Sequence, residues 1–263
     1  MIRLDGVSLH RGSRCILCGL SLDIRAGEVT VILGPNGSGK STLLAALAGT
    51  MPYRGAVRLN GHDVSRCGPA RMAEERAVLP QHSELAFPFR VAEVVALGAR
   101  GGLAGDPAAL AARVEALLAR LGLEGFGPRN AASLSGGEAQ RMHLARVLLQ
   151  AETGSGAPPW LFLDEPVNGL DLAHQLAVMD EARAFARQGG GVLAVLHDLN
   201  LAVRAADRLL VLHEGGLCAD GPPGRVLNDA LLETVFGCEA LMNRIPLDRP
   251  FLLVQAQANI TRQ

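Results

Sequence analysis

The chain has 263 residues, of which 49 % are apolar and 19 % charged. It can therefore bury a core and is not disordered; its length suits one α/β domain with an inserted lobe and is too short for two. With 25 basic and 26 acidic residues the net charge is −1, which gives no electrostatic grip on a phosphate backbone, so no nucleic-acid partner is expected. No apolar run reaches the roughly 18 residues of a membrane span. The first residues, Met1 to Asp5, show neither the apolar segment nor the cleavage site expected of an export signal.

In chain order, Ile2, Leu4, Val7 and Leu9, then Leu20, Leu22 and Ile24, alternate with polar residues. That is strand periodicity, broken by turns at Arg11-Gly12-Ser13 and Arg25-Ala26-Gly27. Five scattered cysteines (Cys15, Cys18, Cys67, Cys218 and Cys238) argue against a disulfide framework and for a reducing compartment. Cys15 and Cys18 have C-x-x-C spacing, but no second pair accompanies them, so buried or edge-strand thiols are expected. Residues 29–33 form a continuous apolar run, as in a strand covered on both faces. A glycine-rich loop follows, then helical spacing over 41–49 and a strand over 55–60 ending in the Asn60-Gly61 turn.

From about residue 84 to 151 the chain turns to Ala, Leu, Arg and Glu in helical period, notably over 91–99 and 107–121. A mainly helical lobe inserted in the α/β core is expected, closed by a small flexible loop over 152–159. Residues 160–163 and 191–196 read as buried strands, 202–206 as a helix, and 209–212 as a final strand before a hairpin turn near Glu214-Gly215-Gly216. The tail beyond about 241 is too irregular to assign.

Lysine occurs once, at Lys40; every other basic residue is arginine. A compact ammonium at that position does something a planar guanidinium cannot. Its surroundings, Gly34, Pro35, Asn36, Gly37, Ser38, Gly39, Lys40, Ser41 and Thr42, fit G-x-x-x-x-G-K-[ST]. Glycines let backbone N–H groups converge on an anion, and the helix that follows adds its positive end. Lys40 would reach the β- and γ-phosphates of a nucleotide, and the Ser41 hydroxyl would ligate Mg²⁺. ATP and Mg²⁺ are the expected ligands.

Such chemistry needs acidic residues at a neighbouring strand end, and Leu161-Phe162-Leu163-Asp164-Glu165 supplies them. Asp164 is placed for the metal, and Glu165 for the attacking water. Leu134-Ser135-Gly136-Gly137-Glu138 is a second small-residue loop opening a helix, with Ser135 as hydroxyl donor and free amides behind it. One fold would struggle to bring both loops to one nucleotide, whereas two copies arranged head to tail could.

On these motifs the chain resembles the nucleotide-binding subunits of ABC transporters over nearly its whole length. The resemblance implies a P-loop NTPase fold with an N-terminal antiparallel β region and an inserted helical subdomain. A single ATPase domain would span 1–240, with the lobe at about 84–151 and a tail over 241–263. It implies a signature motif at Leu134–Glu138, which includes Ser135, Gly136 and Gly137, and a D-loop at Asn168–Asp171 with Asp171 at the nucleotide. Glu165 would be the catalytic glutamate and His197 the switch histidine, acting with Lys40. The metal set would be Ser41, Gln81 and Asp164, with Gln81 sensing both Mg²⁺ and a membrane partner. Two ATP molecules would lie between two subunits, and the lobe would transmit closure to a permease dimer at the cytoplasmic face of the inner membrane. Two departures stand out. The family's adenine-stacking Tyr is missing, so His10 or Arg11 takes that place, Arg11 by cation–π contact. Val167 stands where Thr is common.

The segments 79–89, 171–175, 197–201 and 219–223 are similar to the ATPases of haemin importers, whose permease receives haem from a periplasmic binding protein. Importers of ferric siderophores and cobalamin share much of this, especially the last two. Phe87 and Phe89, beside Gln81, suit an interface with a permease or, alternatively, the lobe's own core. A soluble ATP-driven switch of DNA repair or translation is disfavoured by the single nucleotide domain and neutral charge, and a module without turnover by the presence of Glu165 and His197.

Overall fold

A computed structural model describes residues 1–81, 87–154, 158–239 and 242–244. Two sheets organise them. The first is antiparallel, in order β2-β1-β4-β5, from β1 (Ile2–Arg11), β2 (Arg14–Ile24), β4 (Arg54–Leu59) and β5 (His62–Asp63). The second has order β10-β9-β3-β8-β7-β6, from β3 (Val29–Leu33), β6 (Arg76–Leu79), β7 (Trp160–Asp164), β8 (Gly191–Val195), β9 (Arg208–His213) and β10 (Gly216–Gly221). All its pairs are parallel except β9–β10.

The central strands β3, β7 and β8 are buried along their whole length and almost wholly apolar because both faces are covered. On one face Val29, Val31, Leu33, Leu161, Leu163, Val192, Ala194, Leu209 and Val211 join one core. On the other, Ile32, Trp160, Phe162, Leu193, Val195, Leu210 and Leu212 join a second. The second core also holds the antiparallel sheet and α1 (Lys40–Leu47), whose Leu43, Leu44 and Leu47 are buried. Helix α1 thus lies between the two sheets. Helices α3 (Val91–Ala96), α4 (Pro107–Arg120), α5 (Gly136–Thr153), α6 (Leu172–Arg187) and α7 (Leu199–Ala205) contribute to the first core. Helix α5 packs on α3 and α4 and also on β6, β7 and the short α2 (Pro69–Glu75). Two helices, α8 (Pro223–Val226) and α9 (Asp229–Phe236), follow β10.

Trp160 ties these layers together. Its buried indole N–H donates to Asn60 Oδ1 at 3.1 Å, while Asn60 Nδ2 donates to Glu75 Oε2 at 2.7 Å and to the Pro158 carbonyl at 2.9 Å. Asn60 adopts φ 50° to do so, a conformation that Asn tolerates better than most residues.

The strand and helix positions expected for the core are present, and further elements join them. Strand β10 follows the expected final strand, β6 and α2 fill 69–79, and α6 is a 16-residue helix that no element in the sequence reading covered. Helix α5 runs to Thr153, into the segment expected as a loop. Within the 82–86 and 155–157 stretches, and in nearly all of the tail after 241, the expectations fall outside the described residues.

One expectation is overturned: Cys15 and Cys18 form a disulfide on β2, the edge strand of the antiparallel sheet. In a regular strand positions three apart would stand about 10 Å from each other. Here β2 is compressed, because His10 pairs with Cys15 while Leu9 pairs with Leu17, leaving Ile16 as a bulge. Gly19, at φ 68°, lies in a second irregularity of the same register. The two Cα atoms come within 6.2 Å, inside bridging range. Cys67, Cys218 and Cys238 are free.

Candidate functional site

The C-terminal ends of β3, β7 and β8 assemble most of the residues that the motifs single out. After β3 the chain runs through Gly34, Gly37 and Gly39 at φ 147°, 81° and 96°, all conformations that a side chain would strain. At Gly34 there is no room either: a Cβ would lie 2.2 Å from the Leu212 carbonyl oxygen. At Gly39 it would meet Ile16 at 2.8 Å, so the bulge of β2 underlies this loop.

The ammonium of Lys40 is buried and curls back to donate to the carbonyls of Gly34 (2.9 Å) and Pro35 (3.0 Å). Burial pulls its pKa below the usual lysine value, and the Glu165 and Asp164 carboxylates oppose that shift. Helix α1 starts without a side-chain cap and with no acidic residue in its first turn. Thr42 lies in its first turn, after the loop that Pro35 and Asn36 complete. The buried Ser38 hydroxyl has no hydrogen-bond partner among the described residues. Uncapped amides, an orphaned hydroxyl and a lone ammonium together fit a polyphosphate.

Ser41 Oγ donates to Asp164 Oδ1 at 2.9 Å, joining α1 to the end of β7. Asp164 is buried, and burial raises its pKa, countered in part by this hydrogen bond. A hydroxyl and a carboxylate side by side, hard oxygen donors both, fit Mg²⁺.

Glu165 follows in a left-handed conformation, φ 51°. Its Oε1 lies 2.5 Å from His197 Nε2, at the loop after β8. Its Oε2 accepts from Gln81 Nε2 at 2.9 Å and from Asn168 Nδ2 at 3.4 Å. Glu165, Gln81 and His197, picked out from separate parts of the sequence, are thus brought together. The contact from Asn168 was not foreseen as a contact, although the Asn that ends an Asp-Glu-Pro turn was a visible signal.

The second loop is built differently. Ser135 caps α5, and Glu138 Oε2 accepts from the Ser135 amide (2.7 Å) and hydroxyl (2.8 Å) in a capping box. These bonds hold the Glu138 carboxyl below its usual pKa. Gly136 lies open, while Gly137 rests on Leu170 and Gly169. No hydrogen bond joins 135–137 to 34–42 among the described residues. Asp171 caps α6, accepting from the His174 amide at 2.9 Å, with His174 Nδ1 2.8 Å from the same oxygen.

Arg11 is exposed at the end of β1 and pairs across the sheet with Arg14; His10 is half-buried beside it. Phe87 and Phe89 divide between the two roles considered for them. Phe87 is 68 % exposed, and Phe89 packs on the core, the rings meeting edge to face.

A family model described as "ABC transporter" matches residues 17–168. The curated relatives include the hemin import ATP-binding protein HmuV of Mesorhizobium japonicum, 50 % identical over 97 % of this chain and 99 % of the relative. HmuV of Rhizobium johnstonii is 44 % identical over 97 % of this chain and 98 % of its own length. HmuV of Bartonella henselae is 44 % identical over 97 % of both. Among solved structures, the ATP-binding subunit of an ABC transporter superposes with TM-score 0.74 at 26 % identity, over 90 % of this chain and 93 % of that one. A bacterial Atm1-family ABC exporter with ATP bound matches with TM-score 0.73 at 26 % identity, over 85 % of this chain and 39 % of that one.

Proposed function

Because this chain belongs to the ABC transporter ATP-binding family, we propose that it is the ATP-hydrolysing subunit of a haemin importer. It would work as a homodimer beneath a dimer of permease subunits, peripheral to the cytoplasmic face of the bacterial inner membrane. A periplasmic haem-binding protein would reach it only through the permease. The observation that carries the enzymatic reading is the meeting of Glu165 with His197 at 2.5 Å, next to the Ser41–Asp164 pair. The cargo reading rests on relatives named for hemin import, similar over almost the whole chain.

In this reading the amides of 34–42 and the Lys40 ammonium hold the β- and γ-phosphates of ATP. Lys40 gives up its two carbonyl contacts for phosphate oxygens, a stronger charge-assisted interaction. Ser41, Asp164 and Gln81 would hold Mg²⁺, which when bound supplies charge neutralisation across the phosphates. Glu165 acts as general base: it orients the attacking water and accepts its proton. His197 holds the carboxylate in place from one side. Arg11 stacks on the adenine. Ser135, Gly136 and Gly137 of one copy close over the nucleotide of the other, with Asp171 beside them. The absence of a hydrogen bond between the two loops among the described residues supports this arrangement. The helical lobe of about 84–151, with Gln81 at its edge, would transmit closure to the permease, and the exposed Phe87 suits that contact.

The decisive test of cargo is ATPase stimulation of the reconstituted transporter. Binding protein loaded with haem should stimulate turnover, whereas protein loaded with cobalamin or a ferric siderophore should not. Stimulation by either of the latter alone would replace haemin as the cargo. Purification of the native chain without any integral membrane protein would contradict the transporter reading.

A further inference from the structure

The carboxylate of Glu165 sits on a backbone that needs support. Left-handed φ at a non-glycine residue costs about 1 kcal/mol or more, so its neighbours must define it. The support comes from a short turn. Glu165 N–H donates to the Val195 carbonyl at 3.2 Å, and Asn168 N–H donates back to the Glu165 carbonyl at 3.2 Å. Pro166 lies inside that turn, and Leu170 N–H closes the next by donating to Val167 at 3.2 Å. Gly137 of α5 presses on the same segment: a Cβ there would approach Leu170 Cδ2 to 3.1 Å. The backbone that carries the Asn168 side chain is therefore held by its own turn.

That side chain points at the carboxylate. Three donors surround Glu165: His197 on Oε1, and the two carboxamides of Gln81 and Asn168 on Oε2. Gln81 and His197 arrive from the ends of the neighbouring strands β6 and β8. Asn168 alone belongs to the same turn as Glu165 and stays with it. Its 3.4 Å distance is long, as hydrogen bonds at a catalytic site often are before substrate tightens them.

We propose that Asn168 is a positioning residue for Glu165, whose side-chain amide keeps the carboxylate aimed when Gln81 turns to other partners. The proposal rests on Glu165 being the general base, and the test separates the two. Turnover, ATP affinity and melting temperature are measured for the purified full-length chain and for Glu165→Gln, Asn168→Ala and Asn168→Asp. Asp keeps the size and turn preference of Asn but replaces the donor with an acceptor. The expected result is a kcat about tenfold lower in Asn168→Ala, the worth of one hydrogen bond to a charged group, with ATP affinity unchanged. In Asn168→Asp, kcat falls further at an unaltered melting temperature. Wild-type kcat in Asn168→Ala, alongside an inactive Glu165→Gln, overturns the role of Asn168 and leaves the base in place. A loss in Asn168→Ala that tracks a fall in melting temperature or in ATP affinity also overturns it, since that is structural. An active Glu165→Gln removes the base assignment instead.

Discussion

The hydroxyl of Ser41 donates to the carboxylate of Asp164 across 2.9 Å, so the first turn of α1 and the end of β7 share one hydrogen bond. These two residues lie 123 positions apart in the chain. Their meeting turns two separate motifs into a single site for hard cations.

Ser41→Ala removes one of these oxygens and leaves the phosphate loop's amides intact. The magnesium concentration for half-maximal turnover should rise about tenfold or more. ATP binding in the presence of a chelator should not change, while turnover there should stop. A magnesium titration of the variant against the parent checks this. An unchanged midpoint would remove Ser41 from the metal set.

Arg11 is exposed at the end of β1, where the proposed function puts the base. Arg11→Ala should weaken ATP binding about three- to fivefold, the worth of a cation–π contact at an open site. Arg11→Tyr should restore it, because a ring stacks on adenine equally well. Isothermal titration with a non-hydrolysable analogue measures both. If Arg11→Ala binds like the parent, Arg11 does not hold the base.

His143 is buried on α5, and desolvation lowers its pKa to about 4, with Arg146 adding to the effect. Its folded pKa lies below the unfolded value near 6.5, so between about pH 4 and 6.5 the unfolded chain binds more protons. Stability should thus be complete above pH 6.5 and decline as pH falls toward 4, by at most about 3 kcal/mol from this residue. Urea unfolding of His143→Gln from pH 7.5 down to 4.5 should show a shallower decline than the parent. Parallel curves would mean that other groups cause it.

Asn60 accepts from the Trp160 indole and donates to Glu75, both buried. Asn60→Ala leaves the indole N–H and one Glu75 oxygen without their partner, Glu75 keeping Arg71 on its other oxygen, and places Ala at φ 50°. The loss of stability should be about 2–4 kcal/mol. A shift in the urea midpoint worth less than about 0.5 kcal/mol would show that water replaces the side chain there.

The parallel core was legible because β3, β7 and β8 are uninterrupted apolar runs, a pattern that few other structures produce. Helix α6 was not, because its sequence from Leu172 to Arg187 mixes Ala and Leu with scattered charge and its first six residues bury no side chain deeply. Strand β10 alternates half-buried and exposed residues at the sheet edge, so its glycines and polar residues read as turn. The Cys15–Cys18 bridge depends on a bulge at Ile16, which arises from pairing with β1 and has no local signature. In the site, Lys40, Ser41, Asp164 and Glu165 were readable because phosphate and metal chemistry dictates residue types at fixed spacing. The support for Glu165 was not, since a left-handed backbone and an amide reaching back along its own turn leave no such spacing.

In the proposed homodimer one chain holds only half of each ATP site. The direct measurement is the solution mass of Glu165→Gln by light scattering, with and without ATP and magnesium. The account predicts a mass near that of the 27.6 kDa chain without nucleotide and twice that with it, the shift being lost when Ser135 is also replaced by Arg. A monomer at saturating ATP, or wild-type turnover independent of protein concentration far below any dimerisation, would contradict it.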